Sequence, residues 1–234
     1  LYIKHCVFRN CTANKGGGGI ALSLVNDVLI KHSIFINNSA SDGGAVLFMH
    51  DSKIGVRFIQ SSMFVNKSAP NQGGAVSSYH GVMLLYKYCQ FYHNTASFGG
   101  ATNILNTRSI FNDNLYFASN YASNSGGSIY AGNIGTMRNS NCTFLQSNSK
   151  SQRGTLYIKK CEDIMNKNST FLLNTGAIFA VYVKKVFKNV GCIFSTYKGI
   201  GNSGIAVRQI GIMINLISIF CNTHQITGHS VGFV

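Results

Sequence analysis

Acidic residues are scarce in this sequence, and their scarcity argues against an enzyme that works with two carboxylates. The 234 residues include six of them, which are Asp27, Asp42, Asp51, Asp113, Glu162 and Asp163. Glycoside hydrolases need two carboxyl groups about 5–9.5 Å apart. Glu162 and Asp163 are adjacent, so on a strand they would point to opposite faces. We therefore expect no catalytic residue and no cofactor in this chain.

The sequence also lacks a hydrophobic run long enough for a membrane helix. Its most apolar stretch, residues 210–220, is interrupted by Asn215 and Ser218, whereas a transmembrane helix needs about 20 apolar residues. Disorder is excluded by 16 Phe and 11 Tyr, which give the chain a large apolar surface to bury. The sequence starts at Leu1 without a signal-like segment, so we expect a mature piece or a segment of a longer protein.

Positive charge is in excess, although charged residues are few. Lys and Arg number 20, the net charge is +14, and charged residues make up 11% of the chain, about half the usual fraction. Such an excess suits negatively charged partners. The basic runs are only the doublets Lys159-Lys160 and Lys184-Lys185, and the aromatic residues around them follow strand alternation. We expect a solvated basic face without specific nucleic-acid binding, and an anionic glycan as one candidate partner.

A phenylalanine repeat organises the whole chain. The Phe recurs after 23 to 29 residues, with a mean spacing of 26.5. Its members are Phe8, Phe35, Phe64, Phe91, Phe117, Phe144, Phe171, Phe194 and Phe220. Period-2 patterns around them, without helical periodicity, indicate three short strands per repeat. We therefore predict an all-β parallel β-solenoid in one domain, residues 1–234, with about nine coils of about 26 residues each.

Fixed offsets from each Phe predict ladders of like residues, since stacked coils lie about 4.8 Å apart. Five residues before the last five Phe stands an asparagine: Asn112, Asn139, Asn166, Asn189 and Asn215. Three repeats have Asn-x-Asn there, and Asn tolerates left-handed backbone angles, so we expect these residues to stack at one bend. The segments that follow each Phe, such as Ser39–Asp42 and residues 147–153, are predicted to be variable turns that carry recognition.

A second ladder stands two residues before each Phe, where Cys or Ser occurs in all repeats except one. Its cysteines are Cys6, Cys89, Cys142 and Cys192. The nearest of them are two coils apart, about 9.6 Å, which exceeds the limit of roughly 7 Å for a disulfide. We therefore predict four buried, reduced thiols that pack as small apolar side chains.

Two histidine pairs are candidates for a metal site or a shared proton. Counted from the Gly pairs, His50 and His80 share an offset in neighbouring coils, and Asp51 adjoins His50. Two imidazoles and a carboxylate suit a divalent metal. A turn ladder of polar residues is the alternative, since the same offset is continued by Asn106, Asn133 and Lys160. His5 and His32, each three residues before a Phe, form the second pair.

The motif Phe-x-x-Asn, followed by runs like Gly-Gly-Ala-Ile, resembles the repeats of chlamydial-type polymorphic outer-membrane proteins. Its asparagines are Asn38, Asn94, Asn120 and Asn174, and Lys67 replaces Asn in the repeat of Phe64. The resemblance covers nearly the whole chain. It implies a right-handed parallel β-helix passenger that is surface exposed and acts in adhesion rather than catalysis.

Three hypotheses of function follow. The first is a non-enzymatic extracellular or cell-surface β-helix that acts in adhesion or as a structural rod. The alternative is a polysaccharide-binding or polysaccharide-cleaving, pectinase-like β-helix protein. An internal scaffold segment is the third, since unpaired cysteines fit a reducing compartment. We expect open strand edges to be covered by neighbouring β-helix segments or by self-association, with a host-surface protein or an anionic glycan as the ligand.

Overall fold

The computed structural model describes residues 1–49, 55–151, 154–196, 204–221, 226–228 and 232–233. All the regular secondary structure of these residues is β-strand, arranged in three sheets. The strands pair in parallel, each with the strand one coil away, at the same offset in the repeat. The predicted all-β parallel β-solenoid, with three strands per coil, is confirmed.

Successive coils contribute strands to the three sheets in turn. The first sheet contains Tyr2–Lys4, Ile20–Ser23, Val28–Lys31, Val46–Met49, Val56–Gln60, Val76–Lys87, Thr102–Asp113, Ile129–Ser140, Leu156–Lys167, Ile178–Val190, Ile205–Leu216, Ile226–Gly228 and Gly232–Phe233. The second contains Val7–Arg9, Ile34–Ile36, Met63–Val65, Gln90–Tyr92, Tyr116–Ala118, Thr143–Leu145, Thr170–Asn174, Ile193–Thr196 and Ile219–Cys221. The third contains Thr12–Gly16, Ser39–Asp42, Ser68–Gln72, Thr95–Phe98, Tyr121–Ser125 and Asn148–Ser149.

The nine repeat Phe side chains stack inside the coil, as predicted. Each ring lies over the next with centroids 4.6–5.1 Å apart and interplanar angles of 1–12°. The rings from Phe35 to Phe194 are at most 1% exposed, whereas Phe8 and Phe220, at the two ends of the stack, are partly buried. Neighbouring strands pair at equal offsets from Phe, so each ring lies on its own copy although the spacing of the repeat varies.

Two different constraints explain why glycine occupies both positions of the pair that opens the strands of the first sheet. The first glycine has a positive φ, +61° at Gly73 for example, which L-residues with a side chain rarely adopt. The second glycine passes close to the next coil. A Cβ on Gly74 would lie 2.0 Å from the carbonyl oxygen of Gly100. Neither position has room or freedom for a side chain.

Three columns of left-handed residues, besides the first glycine of each pair, lie at the bends of the coils. One column lies three residues before each Phe and comprises His5, His32, Ser61, Tyr88, Asn114, Asn141, Asn168, Gly191 and Ile217. The second lies within the long strands at His80, Asn106, Asn133 and Lys160. The third lies two residues after each of the first seven Phe, at Asn10, Asn37, Asn66, His93, Ser119, Gln146 and Leu173. In each Asn-x-Asn sequence the bend residue is the second Asn. The ladder asparagines therefore lie in the strand just before the bend rather than in the bend itself.

The third sheet occupies segments that the sequence predicts to be variable turns. Ser39–Asp42 is a strand, and so is Asn148–Ser149 within residues 147–153. The turn prediction was wrong there because backbone bonds between coils, such as Ser39 N–H to the Cys11 carbonyl at 2.9 Å, form a strand without apolar alternation. From Val76–Lys87 onward, two predicted short strands also join into one bent strand of the first sheet.

Candidate functional site

Five buried or half-buried asparagines form one hydrogen-bonded chain through the first sheet. Nδ2 of Asn112 donates to Oδ1 of Asn139 at 2.7 Å, and Nδ2 of Asn139 donates to Oδ1 of Asn166 at 2.7 Å. The chain continues from Asn166 to Asn189 at 2.8 Å and from Asn189 to Asn215 at 2.7 Å. All the amides point the same way along the axis. This ladder joins coils and is directed into the core, so it is a structural feature and not a ligand site.

The asparagine of the Phe-x-x-Asn motif joins coils through the backbone. Nδ2 of Asn94 donates to the carbonyl of Phe64 at 3.2 Å, and its Oδ1 accepts the N–H of Lys67 at 3.1 Å. The same bond to the Phe carbonyl of the preceding coil is made by Asn38, Asn120 and Asn174. The motif is therefore explained by coil stacking alone.

Lys67 takes this asparagine position in its own coil and cannot reproduce the amide's bonds. The residue is 1% exposed, and its Nζ donates to the carbonyl of Val65 at 2.7 Å. Burial lowers the pKa of the Lys67 amine to about 7. The ladder thus contains one amine that titrates near neutral pH.

The Cys and Ser residues that stand two before a repeat Phe all make the same kind of hydrogen bond. Each side chain donates to the backbone carbonyl two residues earlier in the chain. Sγ of Cys89 donates to the carbonyl of Lys87 at 3.3 Å, and Oγ of Ser62 donates to the carbonyl of Gln60 at 2.9 Å. A short side chain with one donor satisfies this position, which accounts for the alternation of the two residue types.

The cysteines of this ladder are free, as are the other three in the chain. Cys89, Cys142 and Cys192 are buried, whereas Cys6 is only half-buried because it lies in the first coil. Burial raises the pKa of the Cys89 and Cys142 thiols to about 12. These thiols therefore stay protonated and act as weak donors.

The predicted patch of His50, Asp51 and His80 is only partly within the described residues. His80 is an exposed left-handed residue at the bend of its strand, whereas His50 and Asp51 lie outside the described residues. In the part of the chain that is described, no group of three or more His, Cys, Asp or Glu could hold a metal ion. His5 and His32 stack with ring centroids 5.1 Å apart. Both metal hypotheses therefore stay predictions.

An open groove runs along the axis beside the bend of the first sheet. It has a volume of about 470 Å³ and is lined by Gly81, Asn106, Thr107, Arg108, Asn133, Ile134, Gly135, Lys160, Cys161, Glu162, Tyr182 and Lys184. A second depression shares Tyr182 and Lys184 and continues into the next coil at Gln209, Ile210 and Gly211. We call these two depressions together the axial groove.

Two register columns supply the polar side chains of the axial groove. The first column is Asn106, Asn133, Lys160, Tyr182 and Gln209, and the second, two residues further along each strand, is Arg108, Gly135, Glu162 and Lys184. Nδ2 of Asn133 donates to Oδ1 of Asn106 at 2.7 Å. The groove therefore presents amides and cations in neighbouring coils.

The axial groove has an excess of positive charge. Of the described residues that line it, only Glu162 is acidic, and Glu162 pairs with Lys185 at 3.2 Å. This hydrogen bond raises the pKa of the exposed Lys185. Within the described chain, no salt bridge joins a carboxylate to Arg108, Lys160 or Lys184.

A buried thiol and a backbone-bound carboxylate lie at or beside the groove. Burial raises the pKa of the Cys161 thiol in its floor to about 12. Oδ1 of Asp163, next to the groove, accepts the N–H of Val186 at 3.1 Å, as Oδ1 of Asp27 accepts the N–H of Val56 at 2.8 Å. These carboxylates are engaged in holding the next coil.

Sequence reasoning missed the axial groove. It identified the Lys159-Lys160 and Lys184-Lys185 doublets but not that Lys160 and Lys184 share a groove with Arg108. Counting from the glycine that opens each strand did place Asn106, Asn133 and Lys160 in one column, but it did not show that the column two residues further along, with Arg108 and Lys184, lines the same groove. Counted from Gly176, Lys184 lies eight residues on, as Arg108 does from Gly100, because the bulge at Lys184-Lys185 shifts the register only of the residues that follow it.

Comparisons with known proteins give a limited resemblance. No protein-family model matches the sequence, and no solved structure matches it. Over 127 residues, 53% of this chain, the sequence is 28% identical to "Metabotropic glutamate receptor-like protein R" of Dictyostelium discoideum. The aligned part is 8% of that protein, so this chain spans a small fraction of its relative's length. Among the described residues, no helix is long and apolar enough to cross a membrane.

Proposed function

We propose that this chain is a non-enzymatic recognition module, a rigid β-helix that acts in adhesion at a cell surface or in the extracellular space. Its ligand binds along the axial groove and is not converted. The repeat resembles that of polymorphic outer-membrane proteins, and this likeness supports a surface role. The partial likeness to a receptor-like protein is in keeping with recognition.

The observation that carries this proposal is the chemistry of the axial groove. Amides line it over successive coils, together with cations that form no salt bridge among the described residues, while its one described acid, Glu162, is held in an ion pair with Lys185. General acid–base catalysis needs a group that can exchange a proton with the substrate. Recognition needs only the donors and charges that the groove presents.

Binding and turnover can be separated in one experiment. The immobilised chain is incubated with acidic and neutral polysaccharides, with and without Ca²⁺, and both retained polymer and new reducing or unsaturated ends are measured. We expect retention without new ends. Cleavage that disappears in His80→Ala would instead support the pectinase-like alternative and would make the patch around His80 an active site.

A further inference from the structure

We propose that the axial groove binds a linear anionic glycan, a polymer of uronic or sulfated sugars, extended parallel to the coil axis. This inference rests on the proposed function, because it names the ligand class of the same groove. Its basis is the length of the groove, the placement of its cations and the kind of neutral groups between them.

The axial groove has the length of a polymer site. It crosses six consecutive coils from Gly81 to Gly211, which is about 24 Å at the spacing of stacked strands. It is open on its outer side, whereas a small-molecule site encloses most of its ligand. A polymer along the axis would meet similar backbone surroundings at each coil.

The cations are distributed along the groove rather than gathered at one point. Lys160 lies two coils beyond Arg108, about 9.6 Å along the axis, and Lys184 lies one coil further. A single carboxylate or phosphate could contact only one or two of them. A chain with repeated negative charges can contact all three, and the guanidinium of Arg108 can bind a carboxylate or sulfate through two hydrogen bonds.

The neutral groups between the cations favour sugars over nucleic acid. The amides of Asn106, Asn133 and Gln209 offer both donors and acceptors, as sugar hydroxyls require. Tyr182 is 44% exposed, so its ring is accessible to the apolar side of one sugar. A groove for single-stranded nucleic acid would present several aromatic side chains for successive bases, but Tyr182 is the one aromatic among the described lining residues.

Calorimetric titration of the chain with polygalacturonate, dextran sulfate and neutral dextran tests the ligand class. We expect binding to at least one charged glycan, weakened by added salt, and none to neutral dextran. The polygalacturonate and dextran sulfate arms distinguish carboxylate from sulfate as the recognised group. Failure to bind either charged glycan would overturn the proposal, as would equal binding of neutral dextran.

A triple variant tests the site. With Arg108→Gln, Lys160→Gln and Lys184→Gln, we expect binding to weaken about tenfold or more, because three ion pairs with the polymer are lost together. The matched control removes the same charge at exposed positions outside the groove, with Lys15→Gln, Lys150→Gln and Lys167→Gln. An equal loss in the control would mean that net charge and not the groove binds the polymer, and the proposal would fail.

Tyr182 and two competitor polymers distinguish a glycan from other polyanions. We expect Tyr182→Ala to weaken glycan binding several-fold and Tyr182→Phe to retain it, because the ring face makes the contact. Oligodeoxythymidine and polyglutamate should bind more weakly than the charged glycan. If either binds as tightly at equal charge, the glycan assignment is wrong while the recognition function stands. Release of cleaved glycan would contradict the recognition function itself.

Discussion

The interior of the coil repeats the same residues, whereas the axial groove varies from coil to coil. Inside, Phe lies on Phe and, in the later coils, Asn bonds to Asn. In the groove, one register column holds Asn133, Lys160 and Tyr182 in successive coils. The same backbone ladder supports both. Residue identity is therefore constrained only where a side chain must fit against its own copy in a closed space, and the outer face of the same strands is free to acquire a ligand.

The largest difference in stability between an interior variant and a groove variant is expected at the stacked rings. Phe117→Ala removes a ring that stacks on both neighbours, and we expect a loss of about 3–5 kcal/mol in the free energy of unfolding. Tyr182→Ala in the groove should change it by about 0.5 kcal/mol or less. Urea unfolding followed by circular dichroism measures both. Similar losses in the two variants would remove the distinction between interior and groove.

The next largest loss in the free energy of unfolding is expected at the amide ladder. Asn139→Leu leaves Nδ2 of Asn112 and Oδ1 of Asn166 without partners, and each unsatisfied group costs about 1–3 kcal/mol. Asn14→Leu, at an exposed strand position, is the matched control and should be nearly neutral. The same urea titration checks both variants. If the two variants had equal stability, the ladder would make no net contribution.

Lys67 is a position where the interior departs from its own pattern by a charged side chain, and Lys67→Asn should restore the amide of the Phe-x-x-Asn motif. The pKa of this amine is about 7 in the fold against an ordinary value of 10.5, so the unfolded chain binds more protons between these two values. The stability of the natural chain should therefore rise with pH across this window, and the burial penalty is fully present below pH 7.

We expect Lys67→Asn to be more stable than the natural chain at pH 6 and to lose this advantage as the pH approaches 10. Unfolding curves at several pH values measure the difference. Lys15→Asn, at an exposed position, is the control and should show no such trend. A pH-independent difference between Lys67→Asn and the natural chain would show that the amine does not titrate in this window.

The smallest effect is expected at the Cys and Ser ladder. Cys89→Ser keeps a donor for the carbonyl of Lys87, the bond that Ser62 makes in its own coil, so stability should change by about 1 kcal/mol or less. Cys89→Asp places a charged or unpaired carboxyl in the core and should be strongly destabilising. Thermal melts compare the two. A large loss in Cys89→Ser would mean that sulfur packing, and not the shared donor, selects these residues.

The sequence predicted the fold class because the residue pattern of a solenoid recurs once in every coil. The Phe spacing places the stack, and the Asn offsets place the residues of the amide ladder. The third sheet could not be predicted in the same way. Ser39–Asp42 alternates small and polar residues without a hydrophobic period, and only the backbone of the neighbouring coil makes it a strand. The axial groove also escaped prediction, because its residues differ in type and its cations lie in two adjacent register columns, Lys160 in one and Arg108 and Lys184 in the other.

The common direction of the amide ladder gives the rod an electrical polarity. Each Asn amide has its N–H group toward the next coil and its carbonyl oxygen toward the previous one. The amide dipoles therefore add along the axis, as peptide dipoles do in an α-helix, and each hydrogen bond polarises its neighbours. The end at Asn112 is the negative pole and the end at Asn215 is the positive pole. The two ends of the same ladder thus differ in potential although the coils between them look alike.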